Sequence, residues 1–553
     1  MSVSTATKGR LDMRWVIHKQ NRERRRARRV GTPLIRIWDG DWRYRGRIAN
    51  AISANFQWKY NETGVAVVEL PLFHFISQWI IDVDGRPNRN VHISLDRDGA
   101  RWTGRMTAAT VVVSDEGEKL VVEFAHDYEE LKWILAWCNP FLPAALQFPK
   151  VFTLAGPSIF CLKLALFCNL LRLNASLWNL PVNPLDPASW ASGLDMSNWS
   201  IVVKPHNLLA DTSLWTIYAS RFKTIHEAST DIAKDSQVMW KLRRWFTGDP
   251  LPWAGFTPRH GALIVDVVDK SGYYSETAIG GSLFGGMVRT AARIGDDFLT
   301  ETLDLITDPV DDSEYDTVAG WMGVKPRKPW IVLRAGETRS PIKTSEFKII
   351  PATAIQVVAG GHSAPGVNEL IQAAIVGGLG ALGATFMFSA LGSTVDAIAR
   401  PLYTDTVLAW WSFKHILRAQ HAGWSHYHER MAEGGDRAFT LSSVMALRVA
   451  LWATRSRTTH TLTVDAMAIP YSIGDEGQGH MFLGDRVGST VKGAPKGRVF
   501  VDQITELTYN FDRATAPQWG IVIGSEEDKE EPIARLFRHM QTVFGTLNQL
   551  GVM

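Results

Sequence analysis

The chain has 553 residues, and its 59 Lys+Arg against 56 Asp+Glu leave a formal net charge of +3. That balance excludes a wholly polybasic nucleic-acid coat and an acidic disordered chain, while 46% hydrophobic and 21% charged residues suffice for several cores in about three to four domains. The 22 Trp, 24 Phe and 11 Tyr stand out, because aromatic side chains dominate both cores and permanent interfaces, and this points to an assembly component.

The charge is unevenly spread. Residues 1–30 hold ten Lys/Arg and two acids, a net of +8, which leaves 49 basic against 54 acidic residues elsewhere. The block Arg22, Arg24, Arg25, Arg26, Arg28 and Arg29 reads as a solvated arm that docks on an acidic or phosphate surface. No apolar stretch follows it, so a secretory signal is not expected and synthesis in a reducing cytosol fits. From Gly31 to about Ala125 come strand signals: Leu34–Trp38, the turn Asp39-Gly40-Asp41, Trp42–Ile48, the alternating Val65, Val67 and Glu69, then Val91–Leu95, Arg101–Val113 and Leu120–Phe124. Short strands with Gly/Asp turns suggest a small barrel or sandwich.

Asp127–Trp137 then reads as a helix, and Ile159–Leu171, apolar except for Lys163 and Asn169, as a buried helix capped by Ser158 and too short to span a bilayer comfortably. Cys138, Cys161 and Cys168 have no metal or disulfide spacing and are expected to be buried thiols. Residues 180–260 look loop-rich; Gln237–Phe246 and Ala262–Asp269 look like strands. An acidic patch (Asp308, Asp311, Asp312, Glu314, Asp316) and Lys325-Pro326-Arg327-Lys328-Pro329 mark a boundary near residue 325. Strands resume at Trp330–Arg334 and Phe347–Ile350. Leu370–Val395 is then a 26-residue run without a charge. Thr404–Gly423 continues a helical pattern, and strands return at Val444–Thr454, Thr459–Val464, Gly497–Phe511 and Trp519–Ile523. After the acidic linker Glu526–Glu531, Pro532 opens a last helix, with Ile533, Met540 and Leu547 on one heptad position, Leu536, Val543 and Leu550 on another, and Phe537 and Phe544 widening the stripe.

Catalytic motifs fail on context. Gly378-Leu379-Gly380-Ala381-Leu382-Gly383, with Asp396 beyond it, matches a dinucleotide fingerprint, but its glycines belong to a wider Gly/Ala-rich run rather than a strand-to-helix turn. Gly361-His362-Ser363-Ala364-Pro365 resembles a nucleophile elbow, yet Pro365 forbids the helix that must start after the serine. His415, His421, His426, His428 and Glu429 lie close together without a zinc-protease spacing. Gly474–His480 lacks the alternating oxygens of a calcium loop and reads as a connection between strands. No Walker motif occurs, no catalytic residue, metal site or cofactor is assigned, and no enzyme is expected.

One ordered set of motifs remains: Tyr60-Asn61-Glu62-Thr63-Gly64 with Val67-Val68-Glu69-Leu70-Pro71; Ala359-Gly360-Gly361-His362-Ser363-Ala364-Pro365-Gly366-Val367-Asn368-Glu369-Leu370-Ile371; Thr404-Asp405-Thr406-Val407-Leu408-Ala409-Trp410; and Gly474-Asp475-Glu476-Gly477-Gln478-Gly479-His480 with Leu483-Gly484-Asp485-Arg486-Val487. Over most of residues 31–525 this set resembles the minor tail proteins of long, non-contractile-tailed phages of mycobacteria and related actinobacteria, in particular their tail-tip, or baseplate, hub proteins. The resemblance implies a structural virion protein assembled in the host cytoplasm. It would be a homotrimer below the distal tail protein ring, closing the tail tube and organising the tip for host attachment and DNA delivery. Its partners would be other minor tail proteins, with the tape-measure protein and transient host-membrane contact as further candidates.

The expected fold is therefore an α+β multidomain chain. A basic arm (1–30) precedes a first β-barrel-like hub domain (31–130) and a central α+β domain (131–325). A second hub region (326–525) carries β-strands and an inserted apolar helical segment (366–430), and an acidic linker leads to the amphipathic helix (526–553). Three docking elements are expected: the arginines of the arm, the terminal stripe, and a membrane-active or trimer-core segment carrying Leu370, Ile371, Ile375, Val376, Gly380, Phe386, Phe388 and Leu391. Two alternatives stand beside the hub: a tail-tip cell-wall-degrading enzyme, and a protein inserting into membrane through residues 370–395.

Overall fold

The computed structural model describes residues 33–115, 117–175, 180–181, 184–272, 305–307, 331–335, 340, 342–360, 410–431, 450, 454, 457–464, 471–494, 498–513 and 517–524. In chain order the first elements are Leu34–Asp39 (β1), Tyr44–Ile48 (β2), Ser53–Lys59 (β3), Val65–Pro71 (β4), the helix Phe75–Ile81 (α1), Val91–Arg97 (β5), Ala100–Ser114 (β6) and Gly117–His126 (β7). There follow Leu135–Ala136 (β8), Phe152–Pro157 (β9), Ser158–Ala175 (α2), Pro187–Ser192 (α3), Ile201–Val203 (β10), Trp215–Ser220 (β11), Lys223–Thr224 (β12), Ile225–Ser236 (α4), Val238–Arg244 (β13) and Leu263–Asp269 (β14). The remaining elements are Leu305–Thr307 (β15), Val332–Leu333 (β16), Ile342–Ile350 (β17), Ala354–Gly360 (β18), Trp410–Lys414 (β19), Ile416–Ala422 (α5), Tyr427–Met431 (β20), Arg457–Val464 (β21), Arg486–Ser489 (β22), Arg498–Asp512 (β23) and Gln518–Ile523 (β24).

The chain divides into two compact units. The first comprises residues 1–289, 304–347 and 459–525; the second comprises 290–303, 348–458 and 526–553. The described residues are mostly β. In the first unit a 14-stranded sheet runs β17-β21-β24-β23-β3-β4-β7-β6-β5-β1-β2, with β15, β16 and β22 attached through β23. The path is open, so no closed barrel forms among the described residues.

Period-two burial explains the sheet. Ala54, Phe56 and Trp58 of β3 and Ala66, Val68 and Leu70 of β4 point into one core with Ile504, Leu507 and Tyr509 of β23, while intervening polar residues face outward. In β4 the set Val65, Val67 and Glu69 faces away from that core. The β3–β23 pairing joins residues about 450 positions apart, with Trp58 opposite Leu507 and Phe56 opposite Tyr509. A second core lies around α2 and α4, packed with the sheet β10-β14-β13 and the pair β9–β11.

Helix α2 is apolar all round because it is sunk among β9, β10, β11, β14 and α4. Its two polar interior residues are matched: Lys163 pairs with Asp266, and Asn169 donates to Ala165 O (2.9 Å) and accepts from Trp137 N (3.1 Å). It is the one described helix long and apolar enough to cross a membrane, and it is buried as the core helix its composition suggests. Helix α4 starts at a reciprocal capping box, Thr224 with Glu227. All three cysteines are buried and free, and burial pushes the Cys161 thiol up to about 12.

Several expectations change. Asp127–Trp137 is a 3-10 turn, Asp127–Lys132, followed by the short strand β8. The region 180–260 carries β10–β13 and α4. Trp410 and Trp411, expected in a helix, lie in β19, which pairs antiparallel with β18; only Ile416–Ala422 is helical. In the supposed strand Val444–Thr454, the described Thr454 N donates to Ala450 O (3.1 Å), a helical spacing. In the second unit β18 sits between β19 and β20, pairing parallel with β20.

Candidate functional site

The residues expected to dock lie outside the described residues: the arm from Arg22 to Arg29, the segment from Leu370 to Leu391, and the stripe from Ile533 to Leu550. So do Gly361–Pro365 and Gly378–Gly383. His415 is buried, and its Nδ1 accepts from Arg418 N (3.1 Å) at the start of α5. His428 is exposed on β20, and His426 beside it is half-buried. Among the described residues no group of three or more His, Cys, Asp or Glu is placed to hold a metal ion.

The motifs at 60–64 and 474–487 instead meet at one place, the edge of the β13–β14 pair. Asn61, at φ 51, turns the chain between β3 and β4. Its side-chain amide donates to Val238 O (2.8 Å) and accepts from Trp240 N (2.9 Å), copying a strand partner for β13. Tyr60 Oη donates to the same Val238 O (3.2 Å). Thr63 Oγ1 donates to Glu129 (2.6 Å), and Glu62 pairs with Lys132. Gly64 is obligatory: a Cβ there would sit 1.9 Å from Gln57 O.

From the other side, Lys241 Nζ reaches Asp475 (3.0 Å) and Glu476 (2.7 Å). Burial alone would weaken its charge, but the two carboxylates outweigh that and hold its pKa above the usual lysine value. Asp485 accepts from Lys270 Nζ (2.6 Å) and from Phe482 N (2.7 Å). Asp475 N donates to Asp98 O (3.2 Å), and at Gly99 (φ +77) a Cβ would lie 2.1 Å from Asp475 O. The Gly474–His480 loop, expected to be a simple connection, is thus a clasp across the β5–β6 turn and β13.

Behind this joint lies a buried ion pair. Arg244 donates through Nη2 and Nε to Asp127 (2.9 and 3.0 Å), and Thr103 donates to the same carboxylate. Burial works against the Asp127 charge, but Arg244 and these hydrogen bonds hold its pKa below the usual range. Glu130, 3.6 Å from Arg244 and 2.7 Å from Arg105, is pushed up by burial. His92 is brought down to about 4, by burial first and then by Arg244.

A cavity of about 270 Å³ opens beside these groups, lined by Trp42, His92, Arg105, Glu130, Arg244 and His260. Trp42 stacks on His92 (4.4 Å), and the Arg244 guanidinium lies over the Trp42 ring (4.6 Å). Arg244 and Arg105 both answer carboxylates, and His92 is neutral near pH 7. The arrangement locks layers together; it presents no activated nucleophile.

Sequence inspection marked Asn61 and Asp485 only as members of motifs. It missed Arg244 and Asp127, whose spacing of 117 residues carries no local signal.

Residues 34–525 match the siphovirus ReqiPepy6 Gp37-like protein family. The whole chain is 36% identical to a protein of Mycobacterium phage L5 named minor tail protein Gp28, covering all of both sequences. It is 35% identical to the protein of the same name from Mycobacterium phage D29, over 98% of each. A solved tail protein from Neisseria meningitidis MC58 covers 90% of this chain at 11% identity with a TM-score of 0.39.

Proposed function

Because this chain belongs to the siphovirus ReqiPepy6 Gp37-like family and is a siphophage minor tail protein of the virion tail, we propose that it is the trimeric hub of the tail tip. In this reading three copies close the distal end of the tube below the distal tail protein ring and organise the tip for host attachment and DNA delivery. The regions 31–130 and 326–525 serve as the two hub modules, so that three chains offer six similar surfaces. The arm at Arg22–Arg29 and the stripe at Ile533–Leu550 dock on neighbouring minor tail proteins or the tape-measure protein, and Leu370–Leu391 packs at the trimer centre.

The observation that supports this most is the open sheet of the first unit, a β scaffold whose strand order ends, among the described residues, at unpaired edges. An isolated monomer gains nothing from such edges, whereas a ring of copies turns them into a barrel-like closed surface. Gold-labelled antibody against the chain on purified virions is the test. Label confined to the distal tail end supports the hub; label along the tube or on the head overturns it.

A further inference from the structure

We propose that the outer half of the β6–β7 hairpin adds as a strand to β2 of a second copy of this chain, joining copies head to tail through their sheet edges. The inference rests on the trimeric hub reading and names the surface that makes the trimer.

Strand β6 is 15 residues long, but β5 pairs only with Ala100–Arg105. From Met106 to Ser114 its sole strand partner among the described residues is β7, and β4 in turn leaves β7 at Lys119. Among the described residues the outer edge of those nine residues is therefore left without a strand to take up its main-chain N–H and C=O groups. Most of its side chains are exposed as well, Thr107 to Val111 throughout, with Val111 45% and Val113 66% exposed. On its inner side this stretch is carried by β7, whose Leu120, Val122 and Phe124 are buried in the core and which β4 flanks as far as Lys119, so the stretch is held in place while its outer edge is left without a strand. Its sequence, Thr107 through Ser114, is rich in β-branched residues and has no charge and no proline, the usual guards of a free edge.

The occupant is read from the other end of the same sheet. Strand β2 ends the strand order, and among the described residues no strand covers its outer edge. It is basic where the hairpin tip is acidic. Arg43 and Arg47 are exposed, with the nearest acid to Arg43 being Asp41 at 3.8 Å, while Arg45 is held by Asp39. Asp115 and Glu118 are exposed at the tip. Five residues of β2 span about 17 Å and nine of β6 about 30 Å, at roughly 3.4 Å per residue, so the shorter edge fits wholly along the longer. Joining two different edges makes a heterologous contact, which with a three-fold rotation between copies closes into a ring rather than a two-fold pair.

The test uses the full-length chain in purified virions. Val113→Cys with Arg47→Cys, oxidised mildly, is expected to give covalent dimers and trimers on a non-reducing gel, while either substitution alone gives none; the three native cysteines are buried. In parallel, Asp115→Lys/Glu118→Lys and Arg43→Glu/Arg47→Glu are each expected to weaken association of the purified chain at least tenfold. All four changes together should bring it back to within about threefold. A trimeric wild type without the mixed cross-link, dimers from Val113→Cys alone, or no recovery in the four-fold variant overturns the edge assignment. A copy number other than three in the virion overturns the hub reading itself.

Discussion

The turn between β3 and β4 and the tip of the β6–β7 hairpin belong to one sheet, and they are built on opposite principles. The turn is held from every side: Asn61 completes β13, Glu62 and Thr63 grip the Asp127–Lys132 turn, and the Gly474–Asp485 segment closes from beyond. The outer half of β6 runs nine residues past β5, and its side chains from Thr107 to Val111 are exposed. Interactions that cross from 66 to 215 residues of sequence fix the monomer at the first place. At the second, β6 beyond Arg105 has one strand partner among the described residues, and the proposed contact with a second copy would supply the other. If the proposed contact holds, stability and assembly belong to different parts of the same sheet, and substitutions should separate them.

The largest effect is expected where charge is most buried. Arg244→Leu leaves Asp127 without its partner, and breaking such a pair from one side costs about 3–5 kcal/mol. Urea unfolding of the full chain, followed by Trp fluorescence, measures it.

Acid should act almost as strongly. His92 and His460 are buried and neutral in the fold, with pKa values brought down to about 4 from an ordinary 6.5, His92 by burial and Arg244, His460 by burial. A base with a lowered folded pKa binds protons better when unfolded. Its neutral form is therefore fully tolerated above about pH 6.5, and stability is lost as pH falls from there to about 4, by at most about 3 kcal/mol per histidine. Unfolding midpoints measured from pH 7.5 to 4 should fall in that window, and His460→Gln should flatten the fall.

Asn61→Ala comes next. It strands Trp240 N and leaves Val238 O with Tyr60 Oη alone at the β13 edge, and should cost about 1–3 kcal/mol, with Asn61→Asp recovering only the acceptor half. Smallest of all for the monomer is Val113→Lys at the bare hairpin, expected within about 0.5 kcal/mol by the same unfolding assay, although it should impair assembly of the tail. A large loss of monomer stability from Val113→Lys would dissolve the contrast between the two places.

How legible this was differs by element. Strands β1, β5, β6, β7, β13 and β14 were readable because alternation and Asp/Gly turns mark them locally. Strand β3 carries equally regular alternation in Ser53–Lys59, yet its polar half masked the buried Ala54, Phe56 and Trp58. Trp410–Lys414 was misread as helix because what makes it a strand is β18, some fifty residues earlier. The motifs of the joint were visible as a resemblance, but not their work: Asn61 meets Val238 and Lys270 meets Asp485 across 177 and 215 residues. Spacing of that kind has no periodicity to read.

Cryo-electron microscopy of the intact tail tests the hub most directly. The account expects three copies of this chain at the distal end of the tube, below the last tail ring. Six copies, a single copy, or density for this chain elsewhere in the tail would contradict it.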